Sequence, residues 1–426
     1  MPGDTTLLLI RLFAVFVAVT VAVSLVARRV ALPHSVVLVA CGLGAGLFVH
    51  LTEAEIPPEL VLLVLLPGLI FEAAYKIDLR VLVPALPAVV LLAGPGVFVT
   101  GIVVAVALHL GAGMDLAVGF VVGAIVSATD PAAVISSFRR MHAPHRLAVT
   151  VEAESVFNDG TGIVVFSIAA AALVEPISIG GAAFAFLSTV VGSVVIGVVA
   201  GEIGTRLMVR LNDRVVELAV SLLVAYGTYL VADSVHESGV IATAVAGIVL
   251  GNEGRRLGLS RQTFESLDVV WEFLAYLLTA LVFLLVGLAI PATSLADALP
   301  AIGWAVVAVL VARAALVYGG LALLRVVAPA VRRRTPPAWL HVIFWSGLRG
   351  AIAVALALSL APGVPDRIQI QQISFGVVLF TLAVQATTAE VLLRRLGLSE
   401  NPPAADHAHR GPGAAVATER ASGSDA

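Results

Sequence analysis

The sequence predicts an all-α polytopic membrane protein with about thirteen transmembrane helices. Three observations carry that prediction. Of the 426 residues, 60% are hydrophobic and only 12% charged, a balance sustained from residue 7 to about residue 396 that soluble domains do not show. The chain divides into apolar runs close to the roughly 20 residues a helix needs to cross the hydrocarbon core. Basic residues recur in every other loop between those runs.

Cut at Pro, Gly and charge clusters, the runs fall at 7–27, 33–50, 59–75, 86–110, 116–138, 148–174, 180–205, 215–234, 238–251, 268–290, 299–324, 339–360 and 369–393. The first is kept as a span, because Arg28 and Arg29 follow it and no small-residue cleavage motif stands out. The ninth is short, and the fifth and twelfth carry interruptions. Alternate loops hold Arg28, Arg29; Lys76, Arg80; Arg139, Arg140, Arg146; Arg206, Arg210, Arg214; Arg255, Arg256, Arg261; Arg325, Arg332, Arg333, Arg334; and Arg394, Arg395, which is 19 of the 25 Lys and Arg. The opposite loops hold Arg367 alone and are acidic at Glu53, Glu55, Glu59, Asp233 and Glu237. This asymmetry puts the N-terminus outside and the C-terminus in the cytoplasm of a multi-pass cell-membrane protein.

Residues 1–398 read as one transmembrane domain. Residues 399–426, rich in Ala, Gly, Pro and Ser without apolar periodicity, read as a disordered cytoplasmic tail. Asp406, His407 and His409 in that tail read as solvated groups rather than a metal site. Cys41 is the single cysteine, which excludes an internal disulfide and a cysteine-built metal centre. No GxxxxGK[ST] occurs, so neither a nucleotide nor any other resident cofactor is expected, and no feature points to nucleic acid. The bilayer is the expected surrounding partner.

Ionisable residues at membrane depth are the informative ones, because a charge at the bilayer centre costs about 2.5–3.5 kcal/mol on insertion scales. They are Glu72, Asp130, Glu154, Asp159, Arg313 and Arg349. In the sixth span, VEAESVFNDGTGIVVF, helical geometry puts Glu154, Ser155, Asn158 and Asp159 at i, i+1, i+4 and i+5, a single polar stripe. Every side chain on it carries oxygen, the ligand type hard cations prefer; a polar packing seam is the plainer alternative. Glu152 falls off this stripe and is expected at the interface.

In the fifth span, SATDPAAV places Pro131 at mid-membrane, where it breaks the hydrogen-bond ladder. Asp130 is placed to cap the following half-helix, and the Thr129 carbonyl is freed. Unwound backbone at this depth is tolerated only where it is buried in protein or lines a cavity, and a carboxylate beside free carbonyls suits a cation. A structural kink with a capping Asp is the alternative. In the twelfth span, WLHVIFWSGLRGAIAVALALSL, Gly347 and Gly350 flank Arg349 and suggest a second break. Breaks in spans five and twelve lie an odd number of crossings apart, so spans 1–6 and 8–13 are expected to be inverted repeats, as in many secondary transporters. Arg313 needs a buried acid, and Glu154 is the one available if Asp130 and Asp159 are left for a cation. Glu72 precedes Lys76 by four residues and reads equally as a cavity acid or as half of an interfacial ion pair.

SATDP in the fifth span, ESVFNDGTGIVVF in the sixth, LIFEAAY in the third and GLRGAIAVAL in the twelfth together resemble the sodium/proton exchanger family, specifically its bacterial NhaP-type cation/proton antiporters. The resemblance extends over about 390 residues. It implies a thirteen-span homodimer with an interface domain and a core domain that moves to alternate access. It implies that Asp159 binds cation and proton in turn, with Asp130, Ser155, Glu72 and the Thr129 carbonyl completing the site. Glu154 would pair with Arg313, Asn158 would steady that pair, and Arg349 would offset the C-terminal dipoles of the half-helices. Asn at 158, in place of a second Asp, resembles the electroneutral branch. Pro67-Gly68 stands where the family often has Pro-Pro, and Ala386 where it usually has Gly.

The implied activity is exchange of Na⁺ or Li⁺ for H⁺, with no enzymatic reaction. A buried carboxylate is costly as a bare anion, and either a proton or a cation relieves that cost. If only neutralised sites cross, the ions exchange without leaking. K⁺/H⁺ exchange on the same scaffold is the nearest alternative, and a cation channel using similar residues is another. An intramembrane hydrolase with Ser155 as nucleophile lacks a base, since His50, His109 and His236 lie at span ends and His341 begins the twelfth.

Overall fold

A computed structural model describes residues 16–23, 25, 29, 33–48, 59–130, 132–175, 177–211, 213–290 and 295–398. Most of the expected first span, Pro131 and the 399–426 tail lie outside these described residues. Every regular element among them is a helix, as hydrocarbon demands of a chain whose backbone groups find no water.

In chain order the helices are α1 (His34–Phe48), α2 (Leu60–Tyr75), α3 (Leu79–Ala93), α4 (Pro95–Ala112), α5 (Leu116–Ile125), α6 (Ala132–Met141), α7 (His145–Ala172) and α8 (Ile179–Leu211). They continue as α9 (Arg214–Ser234), α10 (Gly239–Leu257), α11 (Arg261–Ala289), α12 (Leu295–Val327), α13 (Pro329–Arg334), α14 (Pro337–Trp345), α15 (Ala351–Leu358) and α16 (Arg367–Arg395). Among the described residues, seven stretches, α3–α4 taken together and α7, α8, α9, α11, α12 and α16, are each long and apolar enough to cross a membrane.

Local sequence sets many of the boundaries. Asp78, Asp115, Asp213, Ser238 and Ser260 accept hydrogen bonds from first-turn amides of α3, α5, α9, α10 and α11. Three boundaries depart from the expectation. The fourth span starts at Leu79 rather than 86 and turns at Gly94–Pro95. The ninth, expected to be short, is a 19-residue helix, and the tenth starts at Arg261 rather than 268. In the last two the helix runs past its apolar segment into polar residues such as Asn252, Arg255 and Gln262. Those residues leave the hydrocarbon without breaking the hydrogen-bond ladder.

With lipid as apolar as the protein, close helix contact depends on small residues. Where α1 crosses α11, a Cβ on Gly42 would sit 2.2 Å from the Leu284 carbonyl oxygen, and one on Gly287 would sit 2.2 Å from that of Val39. Where α2 crosses α10, a Cβ on Gly251 would meet the Tyr75 carbonyl at 2.1 Å.

Two elements stop at mid-depth and resume. Between α5 and α6 the backbone from Val126 to Asp130 is non-helical, and between α14 and α15 it is non-helical from Ser346 to Gly350. The two interruptions touch, with the Asp130 amide donating to the Leu348 carbonyl at 2.9 Å. The middle of α7 lies beside this crossing.

The α1–α11 contact gives a direct test. Gly287→Ala should destabilise by about 1–3 kcal/mol, because backbone on both sides leaves no room for a methyl group. Its melting temperature in detergent should fall, while that of Gly44→Ala, where a Cβ meets nothing within 4 Å, should match wild type.

Candidate functional site

Interrupting two helices strands carbonyl and amide groups away from water, so side chains must satisfy them. Arg349, 2% exposed, does much of this. Its Nε donates to the Val126 carbonyl at 2.6 Å, and Nη1 donates to the Gly347 carbonyl. One guanidinium therefore meets the C-terminal ends of α5 and α14, where the helix dipoles are negative. The Arg349 amide donates to Thr381 Oγ at 3.1 Å, from a π-helical turn over Thr381–Ala386 in α16. On the other strand of the crossing, Asp130 Oδ1 accepts from the Ala132 amide at 3.0 Å and so caps α6. Gly350 is required beside it, since a Cβ there would lie 2.2 Å from Asp130 Oδ2.

Helix α7 supplies the remaining partners. Asn158 Nδ2 donates to the Ser127 carbonyl at 2.9 Å and to Thr129 Oγ1 at 3.1 Å. The Ser155 hydroxyl donates to the Thr129 carbonyl. Glu154 and Arg313 form a forked pair at 2.8 and 2.9 Å, and Arg313 Nη2 also donates to the Ile343 carbonyl at 2.8 Å. Both members are buried, at 2% and 5% exposure. The absence of a side chain at Gly347 leaves room for two guanidiniums, because a Cβ there would lie 2.8 Å from Arg313 Nε and 2.9 Å from Arg349 Nη1.

The single stripe expected on α7 resolves into two ridges. Glu154 and Asn158, four residues apart, turn toward Arg313 and the broken helix. Ser155 and Asp159, also four apart, face a cavity of about 370 Å³. Two expectations are corrected here. Asn158 does not steady the Glu154–Arg313 pair; its amide grips the unwound α5–α6 segment, where free backbone acceptors are closest. Glu152 is not merely interfacial, for it lines the same cavity. The spacing of Glu152, Ser155 and Asp159, i, i+3 and i+7, carries that signal, but attention to Glu154 hid it.

Glu72 and Asp130 also line this cavity. Glu72 satisfies both of its readings, facing the cavity and pairing with Lys76. Asp159 is 8% exposed, and its Oδ1 has no hydrogen-bond partner among the described residues. The mouth of the cavity is marked by Arg139 and Glu272, with side chains 58% and 67% exposed and charged atoms 3.9 Å apart. Sequence reasoning did not single out Glu272, since a lone acid near a helix start has no periodic partner. Beyond the crossing, toward the opposite end of α11, Val61, Val286, Val354 and Leu358 close around a void of only about 10 Å³. Oxygen-bearing groups thus gather at the inner end of a chamber open on one side.

Comparison with known proteins gives concordant results. The family described as sodium/hydrogen exchanger, transmembrane, matches residues 14–395. The Na⁺/H⁺ antiporter ApNhaP of Aphanothece halophytica is 37% identical over 376 residues, covering 86% of this chain and 70% of that protein. NhaH of Halobacillus dabanensis is 34% identical over 395 residues, covering 89% and 96%. NhaP of Pseudomonas aeruginosa is 32% identical over 435 residues, covering 93% and 99%. In fold, the chain is similar to the sodium proton antiporter MjNhaP1 from Methanocaldococcus jannaschii, with a TM-score of 0.73 at 20% identity over 92% of this chain and 99% of that one.

The buried ion pair generates a stability prediction. Glu154→Gln leaves Arg313 charged and uncompensated, at a cost of about 3–5 kcal/mol. Glu154→Gln combined with Arg313→Met should recover most of the lost melting temperature. A double variant as unstable as the single one would show that the pair is not what the charge depends on.

Proposed function

Because this chain belongs to the sodium/hydrogen exchanger family, we propose that it exchanges Na⁺ or Li⁺ for H⁺ across the cell membrane, one for one, with both ions competing for Asp159. The observation that carries this reading is the position of Asp159, buried at the inner end of the chamber with a carboxylate oxygen that has no partner among the described residues. Asp130, Ser155, Glu72 and the Thr129 carbonyl supply the other oxygens around the cation, a donor set suited to a hard ion. The Ser155 hydroxyl now occupies the Thr129 carbonyl; it turns away when a cation takes that acceptor.

Charge balance supports the stoichiometry. Around the crossing, Asp130, Glu154 and Asp159 face Arg313 and Arg349, three possible negative charges against two positive ones. One proton or one monovalent cation neutralises the cluster, and a neutral cluster crosses the low-dielectric barrier at least cost. Arg349 and the Glu154–Arg313 pair stay fixed in both loaded states, so no net charge moves in a full cycle.

The chamber opens among Arg139 and Glu272, at the end of the fold where arginines collect. Under this proposal the positive-inside rule makes that end cytoplasmic, with the N-terminus outside and this form facing inward. Outward access requires the apolar seal of Val61, Val286 and Val354 to open while the mouth shuts, a rigid shift of the crossing against α2 and α11. Assembly as a homodimer belongs to the same proposal.

Purified protein in proteoliposomes containing an internal pH dye tests it. An imposed Na⁺ gradient should move protons in wild type and not in Asp159→Asn, at a rate indifferent to a clamped membrane potential. The larger response among Na⁺, Li⁺ and K⁺ identifies the ion. Exchange that persists in Asp159→Asn, or that scales with potential, would contradict the competition at Asp159 or the one-for-one stoichiometry respectively.

A further inference from the structure

A second cavity, of about 260 Å³, lies at the Arg-rich end of the fold, where α3 and the starts of α7 and α14 meet α13. Arg80, Arg146, Thr150 and Thr335 form its polar wall, with Pro84 and Trp339 on its apolar side. Among the described residues no carboxylate lines it. Both threonine hydroxyls donate within their own helical turns, to Arg146 O at 2.7 Å and Val331 O at 2.6 Å. Among the described residues the guanidiniums of Arg80 and Arg146 form no ion pair and no hydrogen bond. The nearby acid, Asp78, is engaged in capping α3 through the Arg80 amide at 2.8 Å.

The backbone sharpens this arrangement. Arg80 and Arg146 each stand second in their helices, α3 and α7, and Trp339 stands third in α14. Three helix N-termini, the positive ends of their dipoles, therefore border one hole. Those of α7 and α14 carry no side-chain cap. A cation in the first turn of a helix is opposed by the dipole. Two exposed arginines on the wall of one hole, each at the positive end of a helix, make it a place that favours an anion.

The apolar side of the groove selects the kind of anion. A small inorganic ion gains nothing from Pro84, Ala88 or the Trp339 indole. A lipid does, and Val83 and Val90 on the neighbouring ridge of α3, 59% and 56% exposed, continue the apolar surface into the bilayer. Basic pockets between transmembrane helices at the cytoplasmic leaflet suit anionic lipid headgroups. We propose that this groove binds an anionic phospholipid, its phosphate held between Arg80 and Arg146 and its upper chain laid along Pro84, Ala88 and Trp339. The lipid fastens α13 and the start of α14 to α3 and α7 at the Arg-rich end of the fold.

The test uses the full chain in non-ionic detergent, titrated with phosphatidylglycerol, phosphatidylcholine or inorganic phosphate. Bound lipid is read by native mass spectrometry and stability by melting temperature. Phosphatidylglycerol should bind saturably and raise the melting temperature, and the other two should not at matched concentration. Arg80→Gln with Arg146→Gln should weaken phosphatidylglycerol binding about tenfold or more, the loss expected for charge-assisted contacts. Arg206→Gln, elsewhere on the same face and already paired with Glu202, should leave binding unchanged. Should the double variant not fold, Arg146→Gln alone at its exposed position carries the same test with a smaller loss. Equal binding of phosphatidylcholine, unchanged binding by the arginine variants, or full competition by inorganic phosphate would each overturn the proposal.

Discussion

The constraint on which this structure depends is that backbone polar groups deep in a membrane must find partners inside the protein. Two helices are broken at the same depth, and each break exposes carbonyls that would cost several kcal/mol unpaired. The cost is met locally. Arg349 holds the carbonyls of Val126 and Gly347, Asn158 holds the Ser127 carbonyl, and Ser155 holds that of Thr129. The breaks also hold each other, through the Asp130 amide and the Leu348 carbonyl. The glycines at 347 and 350 follow from this, because the space a side chain would fill is occupied by two guanidiniums at one and by the Asp130 carboxylate at the other.

Once the backbone is satisfied, the leftover chemistry is limited. Glu154 and Arg313 neutralise each other, Arg349 is committed to carbonyls, and Asp130 is half committed to capping α6. Asp159 keeps a buried carboxylate oxygen that has no hydrogen-bond partner among the described residues, at the inner end of the chamber. Under the proposed exchange this economy gives a scaffold that keeps its backbone contacts while one carboxyl group changes partner. Under the same proposal, those contacts would let the crossing move as a body instead of unravelling at its breaks.

Much of this was legible in the sequence because membranes penalise charge so heavily that each buried ionisable residue declares itself. Glu154 with Arg313 followed from that penalty, Asp130 as a helix cap from the proline after it, and the break at Arg349 from its flanking glycines. Periodicity and capping rules located the helices, although α10 and α11 run past their apolar segments, since polar residues outside the hydrocarbon do not end a helix. The direction of each side chain on α7 was less legible. Adjacent ridges of a helix differ by only 100°, so Asn158 could not be separated from Asp159 without knowing which neighbour lay on which side. Glu152 was expected at the interface for the same reason, and Glu272 was missed because its contribution depends on a cavity formed by segments far apart in the chain.

The central claim is that proton and cation exclude one another at Asp159. The most direct measurement is proton release from purified protein in a weakly buffered solution with a pH indicator, at a pH where the site is protonated, as Na⁺ is added. The account predicts a saturable release approaching one proton per chain as Na⁺ binds, absent in Asp159→Asn. Calorimetrically detected Na⁺ binding to wild type with no proton released would contradict it.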